Sequence, residues 1–192
     1  MDLVIVGSIG YDDIETPIAT GSDVLGGSAV HAGVSAVFHL PETPGGVRRV
    51  GLVAPVGKDF SNSHQSKLEG MGIDFSGVER LPGNTFRWSG RYSGTMENVE
   101  TISTEVNVLG DFAPEIPQPW RSPNILFCAN THPASQIMVL DQCPSSEITA
   151  IDTFMLWIET EFEDLSSALR KADLAILNEE EVCAISGEEI FM

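Results

Sequence analysis

Along the chain, short unbroken apolar runs alternate with segments whose apolar positions recur every three or four residues. Leu3–Val6 is the first run, ended by Gly7, with the length and aliphatic content of a strand buried on both faces. Ser28–Leu40 carries Val30, Val34, Val37 and Phe38 at helical spacing, with Ser28 placed to cap its start and Pro41 to end it. Val47–Val56 predicts a strand, and Ser61–Met71 a helix stopped by Gly70 and Gly72. The rhythm resumes with a strand over Asn124–Cys128, a helix over Ala134–Gln142 and a strand over Ile148–Ile151. A polar-faced helix over Glu161–Lys171, an apolar strand over Leu174–Leu177 and a helix over Glu179–Ile185, closed by Gly187, complete it. Strand and helix taking turns at this spacing require crossover connections, and so a parallel sheet.

One stretch breaks the pattern. Thr85–Ser93 alternates with period two, Phe86, Trp88 and Tyr92 against Arg87 and Arg91, and Val99–Val108 alternates as well. Two such segments around a polar turn predict an antiparallel hairpin over residues 85–108, which projects as a flap because it has no place in a parallel sheet. Asp111–Pro123, with four prolines, is the connector back to the body.

Composition narrows the partners. Ten Lys and Arg against 28 Asp and Glu give a net charge of −18. A broad nucleic-acid face needs clustered cations, and an anionic membrane surface repels such a chain. No run reaches the ~18 apolar residues of a membrane span. Cys128, Cys143 and Cys183 are widely spaced and odd in number, neither a disulfide framework nor a zinc pattern. With no basic leader before Leu3–Val6, the expected location is the reducing cytoplasm.

Chemistry in a parallel sheet sits beyond the carboxyl ends of its strands. The first such end reads Gly7-Ser8-Ile9-Gly10-Tyr11-Asp12-Asp13. Its spacing is not G-x-G-x-x-G, and the acidic residues that follow repel a pyrophosphate, which argues against a dinucleotide site. A carboxylate there suits sugar hydroxyls, since it accepts two hydrogen bonds; a solvated acidic turn is the bland alternative. Gly26-Gly27-Ser28 precedes the first helix, where glycine admits close approach or positive φ, and His31 lies one turn in. Asn178 and Glu181 open the last helix, as a capping box or as groups near phosphate and, through water, Mg²⁺.

Taken together these segments resemble the carbohydrate kinases of the ribokinase (PfkB) family. The resemblance is carried by G-S-I-x-x-D at Gly7–Asp12, by Gly26-Gly27 before a helix, and by N-x-x-E at Asn178 and Glu181. G-L-V-A-P-V-G-K-D-F over Gly51–Phe60 resembles the family's V-G-x-D-x-F segment, followed by L-x-x-x-G-I-D from Leu68. The resemblance implies a three-layer α/β fold with a mostly parallel sheet and a β lid. It implies transfer of the ATP γ-phosphoryl group to a hydroxymethyl of a sugar or nucleoside, with Mg²⁺. Asp12, Gly26, Gly27, His31 and Asn130 are then substrate-binding, Asn178 and Glu181 phosphate-associated, Glu181 the indirect metal group, and the lid a homodimer contact. Phe86 or Trp88 covers the substrate.

Two departures qualify this. His31 stands where such sequences commonly carry Asn. The glycine-rich D-T-x-G-A-G-D that supplies an anion hole and the aspartate base has no counterpart, since Asp152-Thr153 is followed by Phe154-Met155-Leu156. Phosphoryl transfer depends on positioning and charge stabilisation by that segment. The expectation is therefore a kinase chain without its nucleotide-binding, catalytic C-terminal part, inactive alone. The alternative is a short form that binds a sugar or a partner without catalysis.

Overall fold

A computed structural model describes residues 1–40, 49–110 and 112–188. Pro41 and Val47, on which one predicted helix end and one strand start rest, lie outside them, as does Asp111. The strands β1 (Leu3–Val6), β4 (Val50–Val56), β5 (Ile73–Arg80), β8 (Ile125–Cys128), β9 (Ile148–Asp152) and β10 (Leu174–Ile176) form one sheet. Its order is β10-β9-β8-β1-β4-β5, and every pairing is parallel. Helices α1 (Ser28–His39) and α2 (Asn62–Gly70) cover one face, and α3 (Pro133–Gln142) and α5 (Phe162–Lys171) the other.

Alternation along the strands separates two cores. Ile5, Leu52, Ala54 and Ile73 join Ala29, Val30 and Leu68 on the α1–α2 side. Val4, Val6, Val53 and Leu126 join Val139, Ala168 and Trp120 on the other. Strands buried on both faces read as continuous apolar runs, which is why β1 and β4 are plain in the sequence. The Leu174–Leu177 run forms a three-residue strand at the sheet edge, paired to β9 alone among the described residues. Leu174 and Ile176 are 55% and 59% exposed there.

The flap is larger than the hairpin the sequence predicts. The strands β6 (Phe86–Ser93) and β7 (Asn98–Glu105) pair antiparallel as expected. Beside β6, in parallel, lies β2 (Gly10–Glu15), and against it antiparallel β3 (Thr20–Gly26), giving a four-stranded sheet β3-β2-β6-β7. The Gly10–Glu15 segment, which sequence alone assigns to a strand end and acidic turn, is thus a strand. Backbone pairing with β3 on one side and β6 on the other holds it extended, and Arg91 of β6 bonds Glu15 at 3.0 Å while Arg87 bonds Asp23 of β3 at 2.6 Å. The second alternating segment ends at Glu105, and Asn107–Leu109 turns into a 3₁₀ helix. Four further elements are absent from the sequence reading: β3, β5, a 3₁₀ helix over Gln118–Trp120 and the short helix α4 (Met155–Thr160). The last helix, α6 (Glu179–Ser186), ends at Gly187 as expected. Among the described residues no helix is long and apolar enough to cross a membrane.

Candidate active site

The carboxyl ends of β1 and β8 and the start of α1 are tied by two serines. Ser8 Oγ accepts from the Ser28 N–H at 3.0 Å, while Ser28 Oγ accepts from the Ser8 N–H at 3.1 Å. Ser28 Oγ also donates to the Asn130 carbonyl at 3.3 Å. Ser28 is therefore the first helical residue rather than the cap. Gly27 occupies the cap position at φ 101° and ψ 147°, a region essentially closed to other residues.

Gly26 has a different reason. A methyl group there would overlap the Asp12 carboxylate, which lies against the Gly26 backbone. The two glycines make room for the protein's own atoms, Asp12 at one and the Ser8 carbonyl at the other. Burial pushes the Asp12 carboxyl above its ordinary value, His31 opposing and Asp13 reinforcing the shift. Asp13 faces away, accepting from the Asp23 N–H at 3.0 Å.

Asp12, Gly27 and His31 line a cavity of about 230 Å³ with Ser8, Ser28 and Asn130. Both Phe86 and Trp88 close it from the lid, so neither alone is the cover. Register puts Trp88 between Asp12 and Thr104. From the body come Phe154, Leu156 and Trp157, none of which the sequence reading singled out. Asn130 Oδ1 accepts from the Trp157 indole N–H at 2.8 Å, and Trp157 packs on the His132 ring at 5.0 Å. The lid is rooted by Asp59, whose Oδ1 accepts from both the N–H and the hydroxyl of Thr85 at 2.7 Å. Tyr11 adds a second anchor, its hydroxyl accepting from the Ser61 N–H at 3.0 Å.

Asn178 and Glu181 form the capping box that the sequence allows. The Glu181 N–H donates to Asn178 Oδ1 at 2.8 Å and the Asn178 N–H to Glu181 Oε2 at 2.9 Å. Neither lines the cavity around Asp12. Glu181 is buried, and its charge reaches Asp152 at the end of β9. Burial first, then Glu181, raises the Asp152 carboxyl to about 7, against the pull of the Asn130 backbone N–H. Asp152 ends an apolar strand, and that position is the signal which marks it.

No protein-family model matches the sequence, and no curated protein matches it. Solved structures do match. A nucleoside kinase of Methanocaldococcus jannaschii, an archaeal member of the ribokinase family, aligns at 14% identity and TM-score 0.71 over 100% of this chain and 66% of its own. Anopheles gambiae adenosine kinase, in complex with P1,P4-di(adenosine-5) tetraphosphate, aligns at 14% identity and TM-score 0.74, over 97% and 67%. A ribokinase II candidate from E. coli, in complex with ATP and Mg²⁺, aligns at 15% identity and TM-score 0.73, over 98% and 66%. The chain is an α/β protein of the ribokinase-like fold. It spans about two thirds of the length of these structures.

Proposed function

We propose that the chain forms the acceptor-binding part of an ATP-dependent kinase that phosphorylates a hydroxymethyl group of a sugar or nucleoside. The observation that carries this is the Asp12 carboxylate, set against Gly26 beside the start of α1, in a cavity closed by a β lid. A carboxylate there accepts two ligand hydroxyls in charge-assisted bonds. The His31 ring and the Asn130 amide N–H groups, which have no partner among the described residues, offer further polar contacts, while the Ser8 and Ser28 hydroxyls hold the site together. Lid closure excludes water, which protects a phosphoryl donor from hydrolysis. Two of the kinases matched above, one solved with ATP and Mg²⁺ and one with a dinucleotide, support the reading.

The residues present fit Mg²⁺ associated with ATP. Asp152 and Glu181 are neighbouring carboxylates that would hold it, Glu181 through water; burial first and the Glu181 charge second raise the Asp152 carboxyl, and a cation would offset both. When bound, the ion would neutralise phosphate charge. The Asn178 amide N–H groups, without a partner among the described residues, would face a phosphate oxygen, its carbonyl oxygen being held within α6. The sequence contains no glycine-rich anion loop with a catalytic aspartate, so the proposal gives the 192-residue chain binding without turnover. It places a homodimer contact on the lid, where β7 presents an edge with Val99 and Ile102 half-exposed.

Calorimetric titration with D-ribose and adenosine, run beside a coupled ADP assay, tests this. Binding that weakens at least tenfold in Asp12→Asn, without turnover, is expected. Absence of binding, or affinity unmoved by Asp12→Asn, overturns the acceptor site; turnover overturns the assignment of catalysis elsewhere.

A further inference from the structure

We infer that the acceptor is a nucleoside, its base held between Trp88 of the lid and Trp157 of the body, rather than a free sugar. This deepens the acceptor-binding reading above and rests on it. The cavity is divided by chemistry. Most of its polar side chains come from the β1–α1 junction, β2 and the end of β8, with Thr104 of β7 the one lid hydroxyl on the wall. Phe86, Trp88, Phe154, Leu156 and Trp157 make most of its apolar wall. A pentose carries hydroxyls around its whole ring, and those turned to an apolar wall lose hydrogen bonds to water without replacement.

Both indoles are fixed so that only their faces and edges remain to a ligand. Trp88 lies along β6 over Gly90, where a methyl group would overlap the ring. Its N–H donates to Thr101 Oγ1 at 3.3 Å, and its edge meets Tyr92 at a centroid distance of 6.4 Å. Trp157 commits its N–H to Asn130 Oδ1 and rests on His132. Planar rings gain from stacking on such surfaces whatever the identity of the base. Register sets Trp88 opposite Asp12 on adjacent strands, so one ligand reaches both. The site therefore suits a molecule with vicinal hydroxyls at one end and a planar aromatic ring at the other.

The test is calorimetric titration of the full chain with adenosine and with D-ribose, in wild type, Trp88→Leu and Trp157→Leu. Adenosine should bind wild type at least tenfold more tightly than ribose. Each leucine variant should cut that ratio roughly 5- to 150-fold, the range of a lost base–aromatic stack. Wild-type fluorescence gives a second readout that needs no variant. Adenosine but not ribose should quench it, the buried Trp120 serving as a constant background. Equal affinities for the two ligands, or a ratio unchanged in both variants, overturns the inference. In that case ribose binding lost in Asp12→Asn leaves the acceptor site standing. If neither ligand binds wild type, both readings fall together.

Discussion

Substituting Gly26 by alanine separates the two glycines before α1 by mechanism. At Gly26 the new methyl meets only the carboxylate end of Asp12. That group can rotate away, at the cost of an off-rotamer side chain, about 0.5–1.5 kcal/mol. Folding should therefore weaken by about 1 kcal/mol. Acceptor binding should suffer more, because a displaced carboxylate forfeits hydrogen bonds worth about 1.5–3 kcal/mol, roughly 10- to 150-fold in Kd. Gly27→Ala reverses the balance. Its φ of 101° costs about 1–3 kcal/mol for a non-glycine residue, before the overlap with the Ser8 carbonyl. Urea unfolding and calorimetry with adenosine, run on both variants, give the two quantities. Gly26→Ala binding like wild type, while Asp12→Asn does not, would refute the claim that Gly26 places the carboxylate.

Three further outcomes are expected. Asp152 binds its proton more tightly in the folded chain than at the ordinary 3.8, so its burial costs stability as pH rises through about 7. In chelator, Asp152→Asn should be more stable than wild type at pH 8, by no more than about 4 kcal/mol, the gap closing toward pH 4 in urea titrations. Asp59→Ala leaves the buried Thr85 N–H without its partner and should cost about 1–3 kcal/mol, with faster amide exchange along β6 than along β1. Leu174 and Ile176 present apolar surface on an edge unpaired among the described residues, so the chain should bind ANS and self-associate in light scattering; Ile176→Lys should reduce both, and a monodisperse wild type without dye binding would count against it.

What the sequence discloses follows from where each segment finds its partners. Leu3–Val6 and Val50–Val56 are buried on both faces, and their apolar runs state this locally. Gly10–Glu15 is a strand because β6, more than 70 residues on, pairs along its whole length and sets Arg87 and Arg91 near its acidic side chains. No local propensity encodes that. β5 escapes because only Ile73 and Phe75 are buried among polar neighbours. Asp12 and the glycines are legible as a strand-end motif, although their packing against each other is not. Trp157 sits on a six-residue helix too short for a period to emerge, and only the bond to Asn130 reveals its place.

The lid's construction bears on how such a molecule can be re-engineered. Its central pair joins β2, which continues from β1, to β6, which continues from β5, so two separate stretches of chain cross into it. Excising residues 85–108 would not return a lidless body. It would strand β2 and β3 as a lone hairpin, unstable in water, and uncover Tyr11, which is 5% exposed beneath Arg87. Transplanting specificity from another scaffold would likewise require moving residues 10–26 and 86–105 as a unit. The wall that meets the ligand is thus inherited with the segment that carries Asp12, and neither can be exchanged without the other.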